Sequence, residues 1–281
     1  MRTVVVTGGT DGIGKGLALH YLRQGARVVA VGSTPAKGAS FLAEAASQNA
    51  TFLRADLTSI AATKELLATI RRTCASLDTL VLCAQRYRLF GPRTTTREGF
   101  EHSFALAYLS RHILSHGLRD LMTPAPRPVI MNVGTPGVPL GRIHWDDLQL
   151  TRRYNGTRAT LQSFRANDLL GVAFGELYGG EIRYVGYNPG VVSTGMPTHL
   201  PAPLRAAVRA TFPLVATSVA KAVMPMTTLL EDPPAEAFSA YFTKRRLSLG
   251  GAAFDRDEAM RLHHLTQRLI DAGAPTLPSR P

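Results

Sequence analysis

The sequence predicts an α/β fold of three layers, a doubly wound parallel sheet of about seven strands between helices, and three observations carry that expectation. Apolar runs alternate with helix-length amphipathic segments from the first residue to about Asn188. A glycine-rich turn, TGGTDGIG from Thr7 to Gly14, separates the first apolar run from the first helical one. The composition, 45% hydrophobic with 25 Gly and 18 Pro, supplies a large core and many short connections.

Strands are expected near residues 3–7, 27–32, 50–55, 78–83, 128–134 and 182–188, with helices near 12–24, 36–47, 60–75, 97–122 and 157–178 between them. A helical stretch over about 204–230, a last strand over 237–242 and a short helix over 257–271 complete the pattern. The Pro-rich closing segment APTLPSRP reads as loose. No linker divides the 281 residues, so one domain is expected, with a cofactor-binding core over 1–200, a specificity segment over 195–235 and a C-terminal helix and tail over 255–281.

The opening residues form a strand and glycines rather than a signal peptide, and no apolar run is long enough to span a bilayer, so no membrane partner is expected. Two cysteines, Cys74 and Cys83, lack metal-ligand spacing and make a poor disulfide framework, which fits a reducing cytoplasm. The charge of +12 invites a nucleic-acid reading, but the basic residues are scattered in short clusters without an aromatic-interleaved stripe, so no nucleic acid is expected. His263 and His264 sit in a terminal amphipathic segment with no partner of metal-ligand spacing, and they are read as surface residues, with no metal expected.

The glycine turn is the strongest motif. Thr7 and Gly8 end a strand, Thr10 and Asp11 complete the loop, and Gly12, Ile13 and Gly14 open a helix, so the backbone can approach a pyrophosphate whose charge the helix N-terminus stabilises. Dinucleotide choice is read after the second strand. Gly32, Ser33 and Thr34 there offer neither the carboxylate that binds NAD ribose nor an arginine for the NADP phosphate. With no acid and with Lys37 within reach, NADP is favoured over NAD, although Asp11 stands where a basic residue would help.

TGxxxGxG in this setting resembles the glycine signature of the short-chain dehydrogenase/reductase superfamily, a Rossmann-type fold, and further segments follow in the family's order over about residues 1–200. The resemblance places Asp56 and Leu57 against the adenine, and Cys83 and Ala84 of LVLCAQ at the family's NNAG position. It places Pro189, Gly190, Val192 and Thr194 in the loop that touches the nicotinamide. Gly99–Ser110 and Arg142–Gln149 resemble the retinol-dehydrogenase-like branch in particular.

That register also exposes a departure. The family's YxxSKxAN helix matches Thr160 to Asn167, with Ser163, Ala166 and Asn167 retained, but Thr160 stands for the proton-donating Tyr and Phe164 for the Lys beside the nicotinamide ribose. A phenol can be drawn toward neutrality by an ammonium group, whereas an aliphatic hydroxyl cannot usefully ionise. Thr135 replaces the family Ser after the fifth strand and Ala107 replaces a relay Asn. A rival register would use Tyr154 and Arg158 as a YxxxR pair. The catalytic candidates are therefore Thr135, Tyr154 and Thr160, with His144, Asp146 and Asp147 in a nearby polar loop and Tyr87 and Tyr108 as cavity or core residues.

What the resemblance implies is an NAD(P)-binding enzyme of secondary metabolism acting on a small, largely apolar metabolite. The altered positions suit non-redox chemistry such as cyclisation, isomerisation or dehydration. The alternatives are an NADPH-dependent carbonyl reductase with an unusual proton donor and a catalytically silent dinucleotide-binding subunit. A homodimer or homotetramer is expected, because the long helices near 97–122 and 157–178 are apolar on more than one face.

Overall fold

A computed structural model describes residues 1–86, 88–193 and 217–272. Among the described residues seven strands run parallel in one sheet: β1 (Thr3–Thr7), β2 (Arg27–Gly32), β3 (Ala50–Arg54), β4 (Thr79–Leu82), β5 (Val129–Val133), β6 (Arg183–Asn188) and β7 (Phe238–Phe242). A two-residue β8 (Arg245–Arg246) returns antiparallel on β7, and the order across the sheet is β3-β2-β1-β4-β5-β6-β7-β8. The central strands β1, β4 and β5 are buried along their whole length, as helices on both faces of a parallel sheet require. The chain winds outward from β1 to β3, then crosses back to β4 on the other side of β1. A crevice therefore opens at the carboxyl ends of β1 and β4, where ligands bind in sheets of this kind.

The flanking helices are α1 (Gly12–Arg23), α2 (Pro35–Ala45), α3 (Ile60–Thr73), α4 (His102–Phe104), α5 (Ser110–Gly117), α6 (Arg119–Met122), α7 (Gly156–Tyr178), α8 (Val219–Glu231) and α9 (Arg256–Ala272). Side-chain caps set their starts: Asp11 accepts from Gly12 N, Ser59 from Ala62 N and Asn155 from Arg158 N. The helix over 204–230 is described only from Val219 on, and the single helix expected over 97–122 is divided. Glu101 caps it late, its carboxylate accepting from Phe104 N at 2.7 Å, and Ala105–Leu109 widens into a π turn before α5.

Helix α9 lies against α7. Its Ala259 and Leu262 join the core cluster that contains Leu169, Leu170, Ala173 and Phe174 of α7, all of them nearly fully buried. Part of the apolar surface of α7, one of the two helices from which an oligomer is expected, is thus covered within the chain. His263, expected at the surface, is also carried inside by this contact and is 5% exposed, whereas its neighbour His264 does face outward. Tyr108 is core, its hydroxyl 2.8 Å from Thr266 Oγ1. Tyr87 lies outside the described residues.

Candidate active site and cofactor cleft

A cleft of about 700 Å³ opens at the carboxyl ends of the central strands. It is lined by Gly8, Thr10, Asp11, Gly12, Ile13 and Gly14 from the glycine turn, Ser33 and Thr34 after β2, Asp56 and Leu57 after β3, and Cys83 and Ala84 after β4. These are twelve of the residues expected there from the sequence. Thr7 is one step beneath, buried, with its hydroxyl accepting from Ala84 N at 3.3 Å.

The turn is shaped for close approach of backbone to ligand. Gly12 has φ +51°, and a Cβ on Gly14 would lie 2.3 Å from the Gly8 carbonyl oxygen, so a side chain there would push apart the loop that meets the helix N-terminus. A pyrophosphate fits this cradle. Beside it, Lys37 forms an ion pair and hydrogen bond with Asp11 and also lines the cleft. Partial burial pulls the Asp11 carboxyl upward, but the Lys37 hydrogen bond and the Gly12 amide together hold it below the usual range. The acid that seemed to oppose a phosphate is therefore already matched by a cation.

The nicotinamide side differs. A second, small cavity shares Gln85 with the cleft and is lined by Ala107, Arg111, Asn132, Thr135, Phe164, Asn167 and Asp168. Phe164, which the sequence register sets at the family's lysine position, is among these lining residues. Thr160 lies one turn earlier in α7 and is 4% exposed, with its Oγ1 sealed from solvent and without a hydrogen-bond partner. It lines neither cavity.

Tyr154 precedes α7, so Tyr154 and Arg158 do not form an i, i+4 pair on one helix. The Tyr154 hydroxyl instead donates to Glu101 Oε1 at 3.3 Å, and partial burial, helped by the Glu101 charge, pushes its pKa up to about 12. Arg158 donates to the Arg153 carbonyl and lines a separate shallow depression with His144. In the same loop Asp147 is spent on the chain itself, accepting from Thr151 N and Arg152 N, and Asp146 is exposed. Pro189 and Gly190 follow β6 directly, Gly190 with φ +73°, and Val192 is buried and bridges to Thr217. Thr194 lies outside the described residues.

Two functional candidates escaped the sequence reading. The Arg111 guanidinium, 2% exposed, donates to the Val133 carbonyl at 2.9 Å and the Ala84 carbonyl at 3.1 Å and bonds the Asn132 amide oxygen, tying the ends of β4 and β5 together beneath the cavity. Asp168 is 2% exposed, and its carboxyl accepts from Gly137 N at 3.1 Å. Burial pushes its pKa up to about 8 against the opposing pull of that bond and of Arg165, so it holds its proton near neutrality. A charged residue inside an otherwise apolar helical run, as in AYLSRHIL and ANDLLGVAF, was the available signal for both.

Comparison with known proteins agrees with this geometry. Residues 2–204 match the family described as short chain dehydrogenase. The chain is 32% identical over 197 residues to the "Putative daunorubicin C-13 ketoreductase DnrU" of Streptomyces sp. (strain C5), covering 69% of this chain and 67% of that one. It is 27% identical to human retinol dehydrogenase 13 over 100% of this chain and 88% of the relative. An uncharacterized protein from Mycobacterium paratuberculosis has the same fold, with a TM-score of 0.69 at 22% identity over 99% of this chain and 96% of that one. Among the described residues no helix is long and apolar enough to cross a membrane, and Cys74 and Cys83 are free thiols.

Proposed function

Because the chain belongs to the short-chain dehydrogenase family, we propose that it holds NADP in the cleft and acts on a small, largely apolar metabolite by proton transfer rather than by the family's tyrosine-centred redox step. One observation carries this reading: the cavity beside the cleft is lined by a buried carboxylic acid, Asp168, and a buried guanidinium, Arg111. It is supported by the sequence register, which sets the sealed Thr160 and Phe164 at the family's tyrosine and lysine positions. A carboxyl group that stays protonated can give a proton to a carbonyl or leaving hydroxyl oxygen and take one back. The Thr135 hydroxyl is available to orient that oxygen, and the Arg111 charge favours negative charge developing on it. Isomerisation, cyclisation and dehydration need no more, and secondary metabolism in a reducing cytoplasm is the setting that the ketoreductase relative and the free thiols support.

The residues that would hold the dinucleotide are Gly8 to Gly14 at the pyrophosphate, Asp56 and Leu57 at the adenine, and Ser33, Thr34 and Lys37 at the adenosine ribose, where the lysine supports NADP over NAD. When bound, that cofactor supplies a hydride acceptor or donor to enzymes of this family, and in the proton-transfer reading it serves as a wall of the site.

A reductase is the second reading, favoured by the names of the relatives and by the same Asp168, which would replace the missing phenol as proton source. The experiment incubates the protein with NADPH and a panel of apolar ketones, aldehydes and enones, following cofactor absorbance and product separately. Product without NADPH loss supports proton transfer. Equimolar NADPH consumption overturns it in favour of the reductase.

A further inference from the structure

We propose that His112, His116 and His263 form a binding site for a divalent transition-metal ion of the zinc type, which clamps α9 to α5. One ring nitrogen from each of the three lies within 4.8 Å of the other two. His112 and His116 are four residues apart on α5, on adjacent turns of one face, and His263 comes from α9 across the contact. The ring centroids are 4.4, 4.8 and 5.2 Å apart.

The closest approach is already that of two metal ligands. His112 Nε2 and His263 Nδ1 are 3.2 Å apart. Two nitrogens bound to one tetrahedral zinc at about 2.0–2.1 Å are separated by roughly 3.3 Å. One N–H facing one lone pair accounts for the distance; for both neutral rings to bind a metal, the donor ring would shift its proton to its other ring nitrogen, freeing a second lone pair. Three imidazoles in an apolar core are an unusual way to make one hydrogen bond, and the third does not participate in it. His116 Nδ1 is 2.9 Å from the Tyr178 hydroxyl, while its Nε2 is buried without a partner. With Nδ1–H donating to Tyr178, the lone pair resides on Nε2. This is the arrangement in which an outer partner orients a ligating histidine.

The surroundings agree. His112 and His263 are nearly fully buried, so the site is closed to bulk water, and imidazole binds a metal in its neutral form. No carboxylate belongs to the group, so zinc would be bound by three neutral nitrogens, with the fourth position left to water. Such a ligand set selects zinc, cobalt, nickel or copper over magnesium and calcium. Since Arg111 immediately precedes His112, fixing this turn of α5 would also hold the guanidinium under the small cavity.

The test uses the full chain, stripped with a chelator, dialysed and titrated with Co²⁺ and then Zn²⁺. The expected result is one equivalent bound at micromolar or lower concentration, with the intense visible absorption of four-coordinate cobalt, bleached by zinc, and a higher Tm with zinc than without. His263→Gln and His116→Gln should each weaken binding by roughly 100-fold or more, whereas His264→Gln should leave it unchanged. Circular dichroism establishes that the variants are folded. A weak six-coordinate cobalt spectrum in the wild type, absence of saturable binding, or zinc affinity unaltered in folded His263→Gln overturns the proposal, and the wild-type spectrum decides alone should the variants fail to fold.

Discussion

Asn167 Nδ2 donates to the Ala107 carbonyl at 2.7 Å, joining α7 to the π turn before α5. The same amide nitrogen bonds Ser163 O at 2.7 Å, and its Oδ1 accepts from Asn132 Nδ2 at 2.9 Å. Asn167 thus bonds the backbone of two helices and a side chain of β5 at one point. Asn167→Leu should therefore cost about 2–4 kcal/mol by stranding buried polar groups on two elements. Urea denaturation measures it, and a loss below about 0.5 kcal/mol would show that the turn finds other partners.

The glycine turn makes a separate prediction. Gly14→Ala sets a methyl group against the Gly8 carbonyl, and Gly12→Asp puts a carboxylate at the helix N-terminus where a pyrophosphate would bind. Titration of NADPH fluorescence should show binding weakened by roughly 100-fold or more in both. Wild-type protein that binds neither NADPH nor NADH at millimolar concentration would sink the cofactor assignment.

Lys37 should decide between the two dinucleotides. Lys37→Glu is expected to weaken NADPH about 10-fold or more and to leave NADH within about 2-fold, since only NADP carries the extra phosphate. Equal losses for both would place the lysine elsewhere than at that phosphate.

Thr160 and Asp168 separate stability from chemistry. Thr160→Val keeps the shape and removes a buried hydroxyl that lacks a partner, so the protein should gain up to about 1 kcal/mol with turnover nearly unchanged. Asp168→Asn removes the buried acid, and product formation should fall by roughly 100-fold. Turnover that fails in Thr160→Val and survives in Asp168→Asn would reverse the roles assigned to these residues.

Asp168 also imposes a pH dependence of stability. Its folded pKa of about 8 lies above that of the unfolded chain, so its contribution is complete below the ordinary carboxylate range near 3.8 and is lost as pH rises through 8. The slope in that window is at most about 1.4 kcal/mol per pH unit. Denaturation midpoints of the wild type should fall between about pH 5 and about pH 8, and those of Asp168→Asn should fall less. Parallel curves would mean that the carboxylate is ionised in the folded state.

Much of the fold was legible because strand periodicity and glycine chemistry are local. The strands from β1 to β7 lie within about two residues of their expected places, and twelve cleft residues were named from one turn and three strand ends. The division of the 97–122 segment was not legible, since Glu101 is held by Gln149 and Tyr154 and the π turn by Asn167, all distant in sequence. The burial of His263 was hidden for the same reason: its partners stand about 150 residues away on α5. Tyr154 and Arg158 have the spacing of the rival register, but the start of α7 at Gly156 leaves Tyr154 outside the helix that carries Arg158.

The contact of α9 with α7 bears on how the protein is made. During synthesis α7 leaves the ribosome some 80 residues before α9 begins, so Leu169, Leu170, Ala173 and Phe174 must wait with an uncovered apolar face while β7 is laid down. A nascent chain arrested just before Arg256 should bind a chaperone or precipitate. Release of the last turns of α9 then closes the layer, so folding of this sheet is timed by its final helix rather than by its first strands.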